Sequence, residues 1–335
     1  MKKRILAVVM ALVFAFGLTG LALAGNVANI TQVGDLNVAN TTQTGDLNVA
    51  NTSQYGRNVG NIDQVGKNND ATIGQGAPGS PVDNYKQPGY VGDWINGAYI
   101  KQDGNSNSAS IIERRSSTYA HIYQVGDYNF GSQDIDTYES KANSNFIPHR
   151  GVQIDQVGDS NEAYQTTVAS FGCYGIQDMQ IFQQGDSNYA NQYSKGGMAS
   201  VMEIFQTGDL NISFQYQDGR FSRAHASMIG DNNYTDQYQE YTVWSISGQN
   251  KADIDIVGSN NIATQYQKGE YNEAHIYQNG DFNSVSQTQT GDGNYASASQ
   301  FGNNNSITQT QTGNGHSSTV TQTGNWNVAV VTQNP

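Results

Sequence analysis

Residues 267–333 read QKGEYNEAHIY, QNGDFNSVSQT, QTGDGNYASAS, QFGNNNSITQT, QTGNGHSSTVT and QTGNWNVAVVT, closing on Gln333. Divided this way, Gln267, Gln278, Gln289, Gln300, Gln311 and Gln322 stand eleven residues apart, and the same step reaches back to Ile256. Two residues after each anchor comes a glycine: Gly258, Gly269, Gly280, Gly291, Gly302, Gly313 and Gly324. Five after comes asparagine (Asn261, Asn272, Asn283, Asn294, Asn305, Asn327), with His316 the exception; seven after comes a small or aliphatic residue such as Ala274 or Ile307. A unit recurring at a fixed pitch is the signature of a stacked architecture. The seven residues from Asn to Gln alternate in character, which is strand behaviour. The four between them form a tight turn, where Gly supplies positive φ and Asp or Asn bonds its own backbone. A Gly and an Asn in every eleven residues exclude a helix. The predicted fold is all-β: a β-solenoid of stacked two-strand rungs, each 22-residue rung made of two 11-residue strand–turn units.

The same unit opens the chain after its first two dozen residues. Gln32, Gly34, Asn37 and Ala39 are followed by Gln43, Gly45, Asn48 and Ala50, then by Gln54, with one residue missing before Gln64. The interior keeps the template more loosely; Ala120-His-Ile-Tyr-Gln124 repeats Ala274-His-Ile-Tyr-Gln278 letter for letter. Stretches near 76–91, 136–152, 168–180 and 240–245 break the step, and the first holds Pro78, Pro81 and Pro88, which marks a loop. They read as outgrowths of one domain over 25–335, regular over 26–75 and 245–335, with roughly two dozen repeats.

Charge tells which strand face is inside. Asn272, Ala274, Ile276 and Gln278 share one face, and Glu273, His275 and Tyr277 the other. Across the chain the second face takes the charges and the first almost none, Glu113 and Lys195 at anchor positions being the exceptions. Charges avoid desolvation, so the Asn/Ala/Gln face points inward. Buried amides need partners, and stacking supplies them: identical amides one rung apart, at roughly 4.8 Å, bond to the neighbours above and below. Residues 22 apart then stack, Gln278 on Gln300 on Gln322 and Asn283 on Asn305 on Asn327. The predicted ladder residues are Gln32, Gln43, Gln54, Asn37, Asn48, Asn272, Asn283, Asn305, Asn327 and the anchors from Gln267 to Gln322; the turn glycines are Gly34, Gly45 and those from Gly269 to Gly324.

The start of the chain has a different character. Lys2, Lys3 and Arg4 precede an apolar run from Ile5 that exits on Ala22-Leu23-Ala24, which describes a secretory signal peptide over residues 1–24 in preference to the alternative, an uncleaved membrane anchor, for which the run is also long enough. Its removal takes three of the 16 basic residues, so 29 Asp+Glu leave a net charge of −16 in place of −13. An acidic chain without a basic stripe argues against nucleic acid and anionic membranes, and no second apolar run spans a membrane. Cys173 stands alone, so no intrachain disulfide is available.

At Gln32/Gly34/Asn37/Ala39/Gln43, Gln43/Gly45/Asn48/Ala50/Gln54 and Gln267/Gly269/Asn272/Ala274/Gln278 the chain resembles the curli family, secreted bacterial subunits of functional amyloid. These residues match the last five features of the family's repeat, Ser-x5-Gln-x-Gly-x-x-Asn-x-Ala-x3-Gln. The resemblance implies a β-solenoid subunit, export through an outer-membrane pore, templated growth of a homopolymer fibre from a nucleator subunit, and a role in biofilm matrix and adhesion. Two features depart from it. The segment from Gly25 to Gln32 lacks the Gly-rich leader by which curli subunits address their pore. The chain also carries about twice the family's usual number of repeats.

No catalytic constellation and no cofactor site emerge. His121, His225 and His275 all follow the small residue, but repeat counting puts His225 and His275 on opposite faces, which reads as solvated strand positions. The Gly-Asp pairs at 34–35, 45–46, 126–127, 208–209 and 280–281 fit turn geometry better than calcium binding, whose solenoid template has a nonapeptide pitch. Outward Tyr266 and Tyr277 suit either cross-strand packing or stacking on sugars. The leading expectation is an extracellular, fibre-forming structural subunit, since Gln333 ends the pattern without a cap and leaves a strand to template another molecule. The alternative is a soluble monomeric solenoid that binds glycan or ice, for which Thr288, Thr310 and Thr332 supply an imperfect Thr column.

Overall fold

The computed structural model of the chain describes residues 25–34, 37–56, 58–76, 96–114, 119–136, 151–168, 177–195, 200–219, 221–241 and 249–335. They form two parallel sheets that share the chain strand by strand. The odd sheet holds β1 (Val27–Val33), β3 (Val49–Tyr55), β5 (Asp70–Gln75), β7 (Ser108–Glu113), β9 (Phe130–Asp136), β11 (Glu162–Val168), β13 (Tyr189–Lys195), β15 (Ile212–Asp218), β17 (Tyr234–Glu240), β19 (Ile262–Lys268), β21 (Ser284–Thr290), β23 (Ser306–Thr312) and β25 (Val328–Gln333). The even sheet holds β2 (Val38–Thr44), β4 (Asn58–Val65), β6 (Asn96–Asp103), β8 (Tyr119–Val125), β10 (Val152–Val157), β12 (Gln177–Gln184), β14 (Ser200–Thr207), β16 (Arg223–Ile229), β18 (Lys251–Val257), β20 (Glu273–Asn279), β22 (Tyr295–Phe301) and β24 (Ser317–Thr323). Each strand pairs with the one two places on, so one rung is one strand from each sheet. This is a β-solenoid.

The pairing does not loosen in the middle of the chain. β10 and β12 keep Ile154 on Ile181 and Gln156 on Gln183 although 27 residues separate each pair. β5 and β7 stack Ala71 on Ala109 across 38. The stretches 77–95, 137–150, 169–176 and 242–248, within or beside the interruptions read from the sequence, lie outside the described residues, as do 1–24 and Cys173. Strands reach into the stretches read as insertions: Asp136, Val168 and Glu240 close strands there, and Val152 and Gln177 open them. A further regularity emerges from strand counting. Every turn from an even to an odd strand is four residues long, from 45–48 through 324–327, so all the length variation falls on the odd-to-even corner.

Between the sheets lies a core in columns. Ile62, Ile100, Ile122, Ile154, Ile181 and Ile204 stack rung on rung down the even sheet, each fully buried. Alanines such as Ala120, Ala163 and Ala274, each the second residue of its strand, are buried. Outward residues alternate with these and are half-exposed, which is the period-2 pattern of a strand covered on one side.

The turn glycines owe their presence to stacking as well as to φ. Gly126 has φ +112, and a Cβ there would sit 2.2 Å from the carbonyl oxygen of Gly158 in the next rung. Gly34, Gly45, Gly269, Gly280, Gly291, Gly302, Gly313 and Gly324 share the positive φ, between 104° and 127°. Gly74, outward in mid-strand, has open space where a methyl group would stand, with no atom within 4 Å. Gly126→Ala therefore lowers unfolding stability by at least ~1–3 kcal/mol, the cost of a strained backbone before the clash is counted. Gly74→Ala is neutral or stabilises by up to ~1 kcal/mol. Denaturant titration of the two variants measures the contrast.

Candidate functional site

The inward glutamines form ladders with a direction. In the even sheet Nε2 of Gln43 donates to Oε1 of Gln64 at 2.8 Å, and the run continues through Gln102, Gln124, Gln156 and Gln183 to Gln206. It resumes from Gln278 to Gln300 and Gln322 at 3.0 Å. In the odd sheet Gln32, Gln54 and Gln75 make one run, and Gln217, Gln239, Gln267, Gln289, Gln311 and Gln333 another. Every link donates toward higher residue number. The second amide hydrogen crosses the core: Gln278 donates to the carbonyl of Ile262 and Gln289 to that of Glu273, in the opposite sheet. One side chain thus joins neighbouring rungs and both sheets. Gln54 and the anchors from Gln267 to Gln311 are buried, whereas Gln32 in β1 is exposed and Gln43 in β2 half-exposed.

A third glutamine column, beside the anchor columns of the two sheets, escaped the sequence reading. Gln133, Gln165, Gln192, Gln215, Gln237, Gln265, Gln287 and Gln309 stack without a break in the mid-strand position of the odd sheet, at 2.7–3.1 Å. The signal was present as Gln-x-Gln in alternate repeats, as at 265–267, 287–289 and 309–311. Where a run begins, the direction of donation leaves an oxygen over. Oε1 of Gln133, Gln217 and Gln278 has no hydrogen-bond partner among the described residues, because Ile111, Ser194 and Ile256 lie beneath them.

The asparagines stack through the backbone more than through each other. From Asn26 through Asn48, Asn69, Asn107 and on to Asn283, Asn305 and Asn327, each Oδ1 accepts the next asparagine's backbone N–H, at 2.9–3.0 Å. Nδ2 of Asn283 donates to the carbonyl of Gly302, and that of Asn305 to Gly324. This column runs through every rung at the even-to-odd corner. At the other corner Asn37 accepts from Asn58, and Asn272 links Asn250 to Asn294. The turn aspartates follow the same rule. Oδ1 of Asp159 takes the N–H of Asp127, Asp186 that of Asp159, and Asp209 that of Asp186. Their carboxylates serve the turn of the preceding rung, and no group of three His, Cys, Asp or Glu among the described residues is placed to hold a metal ion.

Two charged residues expected inward part company. Glu113 is fully buried in the anchor column, taking 2.8 Å donation from Gln75 on one oxygen while the other has no partner among the described residues. Burial pushes its carboxyl up to about 8, against which the Gln75 hydrogen bond is the smaller effect. Lys195 is outward and exposed, paired with Asp218 at 2.9 Å; Ser194 occupies the anchor position, on Gln217. Its apparent place in the step came from one extra residue between Ser194 and Gln217, which are 23 apart.

The histidines also change places. His121, His225 and His275 lie in one outward column of the even sheet, through Gln153, Gln180 and Glu203 and then Asp253. The 28-residue step between β17 and β19 restores the parity that counting by elevens loses. From β14 to β20 the column alternates in sign: Glu203, His225, Asp253, His275. His225 meets Asp255 at 3.7 Å and Glu203 at 3.3 Å, which push its imidazole up to about 9. His275 is raised in the same way by Asp253 at 3.2 Å, with Glu273 at 2.8 Å. Lys251 bridges Asp253 and Glu273. These rungs are where Met228 and Ile256 interrupt the inner amides, so an ion-pair network on the outside spans a gap in the ladder inside. His121 lacks such a network; burial lowers it despite Asp155 at 4.0 Å.

On the odd sheet Tyr266 stacks on Tyr238, centroids 5.2 Å apart and planes within 10°. On the even sheet Tyr277 packs against Phe301 at 5.5 Å. The face of Tyr266 toward Tyr238 is therefore engaged in cross-strand packing. Thr288, Thr310 and Thr332 do stack, beside Ser286, Thr308 and Val330, but Tyr266 precedes them in the column.

A family model described as the curlin associated repeat matches residues 283–313. The matched segment covers β21, β22 and β23 with their turns, and it supports a curli-like repeat protein. No curated protein matches the chain. No helix among the described residues is long and apolar enough to cross a membrane.

Two pH effects follow. The folded-state values of Glu113 and His225 both lie above their free values, so each contributes stability at low pH that is lost as pH rises. For Glu113 the loss runs from about 4.5 to about 8, at ~1.4 kcal/mol for each pH unit crossed. Glu113→Gln, which restores an amide to the column, raises the melting temperature at pH 9 and much less at pH 4. For His225 the loss runs from 6.5 to about 9. After solvent screening it amounts to on the order of 1 kcal/mol. His225→Gln accordingly costs more at pH 6 than at pH 10 in the same melting experiment.

Proposed function

We propose that the chain is a secreted structural subunit of a curli-like extracellular amyloid fibre, contributing to biofilm matrix and surface adhesion without catalysis. The observation that carries this reading is the amide ladder. A buried Gln or Asn here is satisfied by the same residue one rung away, so any uncovered rung presents donors or acceptors, with a strand edge, to a second copy of the chain. The curlin-type repeat over 283–313 supports it independently. Parallel pairing in register means that an added copy continues the existing columns. The partners in this reading are the chain itself, a nucleator subunit, and an outer-membrane pore for export from the cell.

Purified protein spanning 25–335, incubated at neutral pH, forms fibres visible by electron microscopy, binds an amyloid dye and shortens its lag on seeding. Protein that stays monomeric and dye-negative overturns the reading. Within the chain, a peptide of 256–333 polymerises faster than one of 134–200, where Ile135, Thr167 and Ser194 replace the odd-sheet anchor glutamines; equal or reversed rates separate assembly from the ladders.

A further inference from the structure

Four tyrosines of the odd sheet occupy one outward column in consecutive rungs: Tyr193 on Tyr216, Tyr216 on Tyr238, and Tyr238 on Tyr266. Their ring centroids are 5.4, 4.6 and 5.2 Å apart, and their planes lie within 1°, 7° and 10° of parallel. The neighbouring pair Tyr164 and Tyr189 is tilted at 41° and 5.7 Å. Among the described residues no other tyrosines are stacked parallel. All four tyrosines are half-exposed. Carboxylates stand beside them: Glu240 accepts the Tyr266 hydroxyl at 3.4 Å, and Asp218 follows Tyr216 on the same strand. Burial, with the charge of Asp218 second, pushes the Tyr216 phenol up to about 12, so at neutral pH the ring keeps its proton and must release it when oxidised.

We infer that this column is an oxidative modification site, at which a one-electron oxidant of the peroxidase class joins tyrosines of adjacent rungs as dityrosine. Each of two neighbouring phenols loses one electron to the oxidant and one proton, for which Asp218 and Glu240 are the nearby acceptors. The two phenoxyl radicals couple through ring carbons ortho to oxygen, and each ring regains aromaticity by moving that carbon's hydrogen to its oxygen. Two hydrogen atoms leave in all, and hydrogen peroxide carries them away as two waters. Proximity selects the partner, because the second radical is already held against the first. The bond ties β13, the last strand of the stretch in which Ile135, Thr167 and Ser194 stand in place of anchor glutamines, to the strands where that ladder resumes at Gln217. The inference stands apart from fibre assembly, since all four rings belong to one chain.

The test treats the mature chain, dilute enough to suppress collisions between molecules, with a peroxidase and hydrogen peroxide. Dityrosine fluorescence and mass spectrometry of proteolysed protein are the readouts. Cross-links are expected within one chain at 193–216, 216–238 or 238–266. The double variant Tyr216→Phe/Tyr238→Phe keeps the ring stack but lowers chain-internal dityrosine on the order of tenfold, whereas Tyr164→Phe leaves it unchanged. Tyr238→Phe alone, a milder change, moves the cross-link to 193–216. Absence of dityrosine, dityrosine mapping instead to the exposed Tyr128 or Tyr271, or a double variant that cross-links as well as the parent overturns the inference.

Discussion

One constraint governs this molecule: a glutamine amide buried between the sheets is satisfied along the axis by a matching group in the same place one rung away. Left alone in the core, each Gln would strand polar groups at a cost of ~1–3 kcal/mol apiece. Stacked, it donates once along the axis and once across to the facing backbone, as Gln289 does to Gln311 and Glu273. Parallel pairing, strict register and constant rung height follow, because any slip would break both bonds at once. The requirement is also directional, since the amides donate one way along the axis and each run has a first member with an oxygen to spare.

Where the ladder lapses, other interactions take its place. The odd-sheet anchors give way to Glu113, Ile135, Thr167 and Ser194. In the same region the mid-strand run starts at Gln133, so a continuous amide column persists two residues to one side. In the even sheet Met228 and Ile256 leave a two-rung gap, and the alternating acids and bases from Glu203 to His275 connect those rungs from outside. Individually such half-exposed pairs are weak. As a network shared over four strands they add to the Asn column and the odd-sheet Gln ladders, which continue through the same rungs.

The repeat itself was legible: glycine, asparagine and glutamine at fixed offsets are enough to dictate strand, turn and inward face. Position in the stack was harder to read, because it depends on counting across turns of uncertain length. Lys195 fits an eleven-residue step back from Gln206, yet the true anchor is Ser194. His225 and His275 stand 50 residues apart, which is not a whole number of eleven-residue repeats, until the extra length after β17 is removed and they fall on one sheet. The mid-strand glutamine column was overlooked for a related reason. It exists in the odd sheet alone, so a template averaged over all repeats shows a variable position where alternate repeats show Gln.

The two corners of the rung have had unequal freedom to vary. At the even-to-odd corner the glycines pass too close for any side chain, and Asn26 to Asn327 form an unbroken line. At the opposite corner as many as twenty residues separate two strands in the sequence, as between Gln75 and Asn96, and the next rung still falls into place. The solenoid is in effect bound like a book, with a spine that tolerates no change and a fore-edge from which pages of any width can project. New sequence grafted at the fore-edge would be displayed at regular intervals along the axis, its spacing set by the spine.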